Sequence, residues 1–376
     1  IVVKKKIFVL SPNFSKNDGI STFSRELCFA LNDIVDERFD ILTYDTETLS
    51  KKYKNNRIFL KLNNLKIFNI ISFSILIIIS TIRNNPSLII TTHAHYAPLA
   101  YILRILFSIP YIVVAHGIEI IPQMTLSKLT KFRKLALRSA DHIWSVSNWT
   151  RKHLINLDIN KEIIEILPNT VDGNKFVISQ KKEYLLQRYS IEPNEKVILT
   201  VARINKNEAY KGHEIVIKSL PDIIKKNGPL KYLIVGKNDD NENLLELIKQ
   251  HDLENQVILC GYISDEELVD HYNLSNVFLM PSYGEGFGIV FLEALSCGIP
   301  VIAGNTDGSK DALMNGLLGK LINPKNKNEI ISNVLTLFNQ SINRIELREK
   351  CIKNYGRDAF KKKLFELLEK CNFFKN

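Results

Sequence analysis

The sequence predicts an α/β protein built from two Rossmann-like domains, and three observations carry that expectation. Apolar runs of strand length alternate with amphipathic stretches of helix length, the pattern of a parallel sheet wound with helices. This alternation lapses into polar residues around 173–193 and then restarts. The chain has 376 residues, more than one core ordinarily holds, so two domains are the default.

The strand candidates follow in order. The first half offers "KIFVLS" (6–11), "FDILTY" (39–44), "SLIITT" (87–92), "YIVVAH" (111–116), "HIWSVS" (142–147) and "IEILPN" (164–169). The second half offers "KVILTVA" (196–202), "KYLIVG" (231–236), "QVILCG" (256–261), "NVFLMP" (276–281) and "IPVIAG" (299–304). The segment "LKIFNIISFSILIIISTI" (65–82) is almost long enough to span a bilayer, which takes roughly 20 apolar residues. It also carries Lys66, Asn69, Ser72, Ser74 and Ser80 and leads through Pro86 into a strand. A helix buried between sheet and solvent is expected there, with a membrane-dipping helix as the alternative.

Composition narrows the class. Hydrophobic residues make up 45% and charged residues 24%, ordinary values for a globular chain. The five cysteines are odd in number and form no C-x-x-C pair, which points away from disulfides and zinc and toward a reducing compartment. The start, "IVVKKKIFVLSPN", shows no cleavage-site pattern, so a cytoplasmic location is expected. Of the net charge of +10, nearly all belongs to the first half: residues 1–175 hold 23 Lys and Arg against 14 Asp and Glu, and the remainder 27 against 26. Such asymmetry suggests an anionic partner: nucleic acid, phospholipid or a phosphorylated substrate.

The stretch "YGEGFGIVFLEAL" (283–295) holds two glutamates, Glu285 and Glu293, eight residues apart in an otherwise glycine-rich and apolar run. Gly284, Gly286 and Gly288 let the backbone approach a ligand, and the helix that follows offers free N–H groups at its start. At helical rise the two carboxylates stand roughly 10–12 Å apart. Two carboxylates flanking one glycosidic bond sit within about 5–9.5 Å, so this pair does not fit a glycosidase. It does fit a ligand with hydroxyls at both ends and phosphates between, a nucleotide sugar, since carboxylates accept paired hydrogen bonds from vicinal diols. A helix-start glutamate and an unrelated surface one remain the plain alternative. Upstream, "VARINKNEAYKGHE" (201–214) places Arg203 just after a strand and Lys211 before Gly212 and a new helix. Such cations suit a diphosphate leaving group; alone they are also ordinary surface charges.

Together these motifs resemble the retaining glycosyltransferases of family 4. "EGFGIVFLEALSCGIPVIA" resembles their E-x7-E signature, and the Arg…Lys-Gly-His element resembles their diphosphate clamp. "HGIE", "SVSNWTRKHL", "LPNTVD" and "YGRDAFKKKLFELLEK" extend the likeness along nearly the whole chain. The resemblance implies a GT-B fold, two Rossmann-like domains facing each other across a cleft. It implies an acceptor-binding domain over 1–172, to which the last helix (355–376) returns, and a donor-binding domain over 173–354. It gives His116, Arg203, Lys211 and Glu285 catalytic roles. Gly19, Arg203, Lys211, Glu285, Gly286, Phe287, Gly288 and Glu293 become donor contacts, with Glu285 on the sugar and Glu293 on the ribose.

His116 ends "YIVVAH", and His93 and His95 in "TTHAHY" end the preceding strand, where they are candidates for the acceptor pocket. Neither a carboxylate nor a cysteine accompanies His93 and His95 in sequence, and no D-x-D closes a strand, so no metal is expected. Two departures from the family pattern stand out: one glycine, Gly19, in the first strand–helix loop, and "NTDGSKDAL" where Gly-Gly-x-x-Glu is common. In the latter, Gly308, Ser309 and Asp311 still form a helix start suited to a phosphate.

The reaction implied is hexose transfer with retention, by front-face attack in which the departing diphosphate helps deprotonate the acceptor. Mannose from GDP-mannose is favoured over a UDP-sugar, and the setting is the biosynthesis of cell-surface polysaccharide or lipopolysaccharide. No cofactor is expected. A glycan or lipid-linked acceptor is the second partner. In "TLSKLTKFRKLALRSA" (125–140), Lys128, Lys131, Lys134 and Arg138 share one helical face with Leu129, Phe132, Leu135 and Ala136 opposite. That pattern is expected to give peripheral contact with anionic membrane, or else an ordinary solvated face. No nucleic-acid motif is present. A sugar-nucleotide epimerase or phosphorylase on the same fold, or a non-catalytic nucleotide-sugar-binding protein, are the competing readings.

Overall fold

The computed structural model describes residues 5–11, 18–35, 39–43, 57–59, 66–121, 130–239 and 242–374. The chain divides into two compact units: residues 1–170 with 357–376, and residues 171–356.

The N-terminal unit is a seven-stranded parallel sheet. Its strands are β1 (Ile7–Ser11), β2 (Phe39–Thr43), β3 (Arg57–Phe59), β4 (Leu88–Thr91), β5 (Tyr111–Ala115), β6 (His142–Ser145) and β7 (Ile164–Ile166), in the order β3-β2-β1-β4-β5-β6-β7. β1, β2, β4 and β5 are buried along their whole length, which is why they read in sequence as continuous apolar runs rather than alternating ones. β3, three residues long, had no such run to announce it.

The helix Arg357–Lys370 belongs to this unit and packs against the helix Gly19–Val35. Arg357 grips Glu26 with two hydrogen bonds of 2.6 Å, a fork-to-carboxylate pair that fixes orientation as well as charge. Phe360 meets Phe23 edge to face at 5.8 Å, and Phe23 in turn meets the His116 ring at 5.0 Å.

Of the two helices singled out in the sequence, the first lies between sheet and solvent and the second changes its buried face. The helix Lys66–Asn84 does bury Phe73, Ile77, Ser80 and Thr81, but Ile75, Ile79 and Ile82, one stripe at i, i+4 and i+7, are exposed. In the basic segment, residues 125–129, with Lys128 and Leu129, lie outside the described residues. The helix Lys131–Arg138 buries Arg133, Ala136 and Leu137, whereas Phe132 and Leu135 are exposed. Phe132 and Leu135, expected opposite the basic face, therefore share the surface with it, and a cation goes inside beside Ala136.

The C-terminal unit is a six-stranded parallel sheet. Its strands are β8 (Lys196–Val201), β9 (Leu230–Val235), β10 (Val257–Gly261), β11 (Val277–Met280), β12 (Val301–Gly304) and β13 (Lys320–Ile322), in the order β10-β9-β8-β11-β12-β13. Its core gathers Ile198, Ile234, Leu279 and Ile302 from the strands with Val216, Leu220 and Val334 from the helices. In both units the strand order reverses next to the first strand, at β1/β4 and at β8/β11, where the crossovers leave room for ligands at the carboxyl ends.

Candidate functional site

Within the C-terminal unit, three carboxyl-end segments converge. One follows β8 and carries Arg203 and Lys211; one follows β11 and carries Glu285; one follows β12 and carries Asp307. The first two are laced by a hydrogen bond from Tyr283 N to Tyr210 O at 3.1 Å. Gly212 makes the approach feasible: it holds φ +85°, and a Cβ there would lie 2.6 Å from the Pro281 carbonyl oxygen.

Lys211 Nζ pairs directly with Glu285 Oε2, and both side chains are largely buried, 13% and 15% exposed. Burial works against the lysine's charge, but the Glu285 carboxylate, with Tyr210 and Glu208, holds its ammonium above the usual range. Tyr210 sits beneath the ammonium, its ring centroid 5.1 Å away, and burial pushes its hydroxyl up to about 12. Arg203, mostly exposed, turns instead to Glu208 at 2.5 Å.

Asp307 anchors this arrangement. It is 1% exposed, and its carboxylate accepts hydrogen bonds from Glu285 N at 2.7 Å, Ser282 Oγ at 2.9 Å and Ser309 N at 3.0 Å. Gly308 N donates back to Glu285 O at 2.8 Å. At Gly308 a Cβ would sit 2.0 Å from Gly286 O, so only glycine permits the contact. Burial raises the Asp307 carboxyl to about 6, against the pull of these donors. Ser309 N, read from the sequence as part of a phosphate-binding helix start, is thus occupied by the chain's own carboxylate. The helix behind it, Ser309–Ala312, is a single turn.

Glu293 stands apart from that cluster. It lies in the helix Ile289–Ser296, is buried, and takes a hydrogen bond of 2.7 Å from the Tyr272 hydroxyl. Desolvation lifts its carboxyl to about 7, with Tyr272 and Lys175 opposing. Phe287, expected among the donor contacts, is 2% exposed and packs edge to face on Tyr355 at 5.6 Å. Its ring is a wedge under the loop, packed inward rather than offered to a ligand.

The N-terminal unit holds the remaining candidates. His116 follows β5; its Nε2 lies 2.9 Å from Thr92 O, so it carries the proton there, and its backbone N donates to Glu119 Oε1 at 2.6 Å. His93 and His95 stack at 4.4 Å with their Nδ1 atoms 2.7 Å apart. Gly19 opens the helix Gly19–Val35, and a Cβ on it would meet nothing within 4 Å, so the described structure places no steric demand for glycine there.

Two family models match the chain in succession: glycosyltransferase family 4 over residues 18–175, and glycosyl transferases group 1 over residues 181–358. The chain belongs to the family 4 glycosyltransferases. The structure of this glycosyltransferase superposes on that of Anabaena HepE in complex with UDP with a TM-score of 0.80 at 18% identity, covering 97% of this chain and 100% of that one. The fold is therefore GT-B. A GDP-mannose-dependent alpha-(1-6)-phosphatidylinositol monomannoside mannosyltransferase of Mycolicibacterium smegmatis is 27% identical over 55% of each chain, so the chain spans about half the length of that curated relative. An uncharacterised glycosyltransferase of Methanocaldococcus jannaschii is 26% identical over 95% of this chain and 93% of its own.

Sequence reasoning missed Asp307, Tyr272 and Arg133. Asp307 had a signal: it stands in the segment that departs from the family's double glycine. Tyr272 and Arg133 gave none, because their roles come from tertiary burial.

Glu293 yields a pH prediction. Its folded-state pKa near 7 lies above the ordinary 4.5, so the folded chain keeps a proton that the unfolded chain has lost between those values. Stability is fully present below about pH 4.5, declines through the window, and above pH 7 is lower by roughly 3 kcal/mol. Glu293→Gln is expected to raise the unfolding temperature by several degrees at pH 8 and hardly at all at pH 5. Thermal unfolding of both proteins across pH checks this; an equal difference at the two pH values contradicts it.

Proposed function

We propose that this glycosyltransferase moves a hexose, retaining its anomeric configuration, from a nucleotide-diphosphate sugar to a glycan or lipid-linked acceptor, without a metal ion. The C-terminal unit takes the donor, and the N-terminal unit presents the acceptor. The observation that carries this reading is the buried Lys211–Glu285 pair on a loop held by Asp307.

Each partner of that pair has a natural substitute in the donor. The diphosphate takes the ammonium of Lys211, with exposed Arg203 closing on it, and sugar hydroxyls take the carboxylate of Glu285. Charge grows on the diphosphate as the sugar leaves, so a lysine held firmly protonated stabilises the transition state more than the ground state. Ribose hydroxyls donate to Glu293 in place of Tyr272. His116, with its Nε2 proton on Thr92 O, offers Nδ1 as an acceptor to a hydroxyl of the transferring sugar. GDP-mannose is favoured on the name of the mycobacterial relative; UDP-sugars stay in view because a structural neighbour binds UDP.

A lipid surface is the second element. Right-handed crossovers that run in one direction put the helices Lys66–Asn84, Ala97–Phe107 and Lys131–Arg138 on one face of the N-terminal sheet. Ile82 and Ile105 there are each 63% exposed, joined by Ile75, Leu106, Phe132 and Leu135. Lys131, Lys134 and Arg138 border them, and one carboxylate, Asp158, serves both Lys134 and Arg138. Apolar side chains bordered by cations match the interface of an anionic membrane. Among the described residues no helix is long and apolar enough to cross one.

A thermal-shift panel of GDP-, UDP- and dTDP-sugars tests the donor: the correct one is expected to stabilise the protein by about 2.7 kcal/mol at a hundredfold excess over its Kd. Lys211→Met should lower kcat/KM by about a hundred- to a thousandfold. An inverted product from an anomerically pure donor would refute retention. For the membrane, flotation is expected with phosphatidylglycerol vesicles and to be lost on Ile105→Glu with Phe132→Glu; equal, negligible flotation with anionic and neutral vesicles ends that part.

A further inference from the structure

Arg133 is an anomaly in the N-terminal unit. It is 9% exposed in a short helix whose other buried members are Ala136 and Leu137. Its Nη1 is buried without a hydrogen-bond partner among the described residues. A guanidinium N–H buried and unpaired carries its full desolvation cost, and native structures seldom leave one so without a ligand or ion to meet it.

The surroundings say what that ligand is. The helix packs against the 3-10 turn Ala94–Tyr96, which His93 caps, and the charge of Arg133 is felt by both His93 and His95. His116 adds a third imidazole, its ring 6.5 Å from that of His93. Against these stands, among the described residues, the carboxylate of Glu119, whose Oε1 accepts from the backbone N–H of His116. Burial and the neighbouring positive charge keep His93 well below its usual range and push His95 down to about 4, so these two rings wait uncharged beside the arginine. A cation is repelled here, and among the described residues no group of three or more His, Cys, Asp or Glu is disposed to hold a metal ion. The position, beyond the carboxyl ends of β4 and β5, is where parallel sheets receive ligands.

We propose that Arg133, with His93 and His95, binds a phosphate group on the acceptor. The planar fork of the guanidinium suits phosphate oxygens, and the imidazoles supply N–H donors at its side. An arriving phosphate reverses the electrostatics at His95: its negative charge cancels that of Arg133, and the ring takes up a proton to become a second charged donor. The acceptor is thus a phosphorylated sugar or a phosphate-linked lipid; this rests on the acceptor role given above to the N-terminal unit.

Histidine ring signals in nitrogen-15 NMR, followed during titration with inorganic phosphate, test the site. His93 and His95 are expected to shift saturably, with His95 titrating at higher pH once phosphate is bound. Arg133→Gln should weaken the effect at least about tenfold, and Arg133→Lys less. Binding of nucleotide diphosphate to each variant shows that the chain is folded. Should Arg133→Gln fail that control, His95→Asn is expected to weaken phosphate several-fold with nucleotide affinity unchanged. No saturable shift in the wild type, or an equal one in Arg133→Gln, overturns the proposal. Displacement of the phosphate by glycerol 3-phosphate assigns a soluble phosphorylated acceptor. Displacement only by phosphatidic acid vesicles assigns a lipid one, and displacement by neither overturns the assignment. Donor hydrolysis, measured separately, tells failure of this site from failure of the transferase reading: phosphate bound without donor turnover sinks the latter alone.

Discussion

The structure of the C-terminal unit turns on an ion pair withdrawn from water. Lys211 and Glu285 come from loops after different strands, and each would carry a heavy desolvation cost without the other. Their pairing explains features around them that otherwise look arbitrary. Gly212 has no side chain because the Pro281 carbonyl must pass close by, and Gly308 none because Gly286 does. Asp307 is buried because the loop bearing Glu285 offers it the Glu285 N–H and the Ser282 hydroxyl, and its carboxylate accepts both together with Ser309 N. A buried pair of this kind gains little stability over an apolar one, but it stores two charges in fixed positions. A ligand that is anionic in its middle and hydroxylated beside it can claim both without leaving either unpaired.

A parallel logic holds in the N-terminal unit with the sign inverted. There the segments beyond β4 and β5 present imidazoles, the helix Lys131–Arg138 adds an arginine, and among the described residues Glu119 is the carboxylate that acts on it. One unit holds its cation paired with its own carboxylate; the other holds an arginine whose Nη1 is buried without a hydrogen-bond partner among the described residues. The excess of basic residues in the first 175 positions has this as one of its physical meanings. The other is the rim of lysines and arginines beside the exposed isoleucines and phenylalanine of the outer helices.

Much of this was legible in the sequence, for a specific reason. Parallel strands covered on both faces must be apolar throughout, so β1, β4, β5, β8, β9, β11 and β12 all announced themselves as runs. The glutamates and the Arg203–Lys211 segment were legible because glycines and charges are rare beside such runs. The edge strands β3 and β13, three residues each, lacked the length to be read. The helix Lys131–Arg138 misled because charge pattern alone chose its buried face, whereas packing buried Arg133 and left Phe132 and Leu135 outside. Asp307 was passed over because a carboxylate in a loop ordinarily signals solvent. Only the convergence of two distant donors, Ser282 Oγ and Glu285 N, with the local Ser309 N makes it internal.

The coupling between Lys211 and Glu285 is the point on which the account rests, and a double-mutant cycle on unfolding free energy measures it without any ligand. Lys211→Met and Glu285→Gln, singly and together, are expected to give a coupling energy of about 2 kcal/mol or more, the double variant being more stable than either single one. A coupling below about 0.5 kcal/mol, the level of an exposed surface pair, would contradict the account, because the two charges would then be held by water rather than by each other.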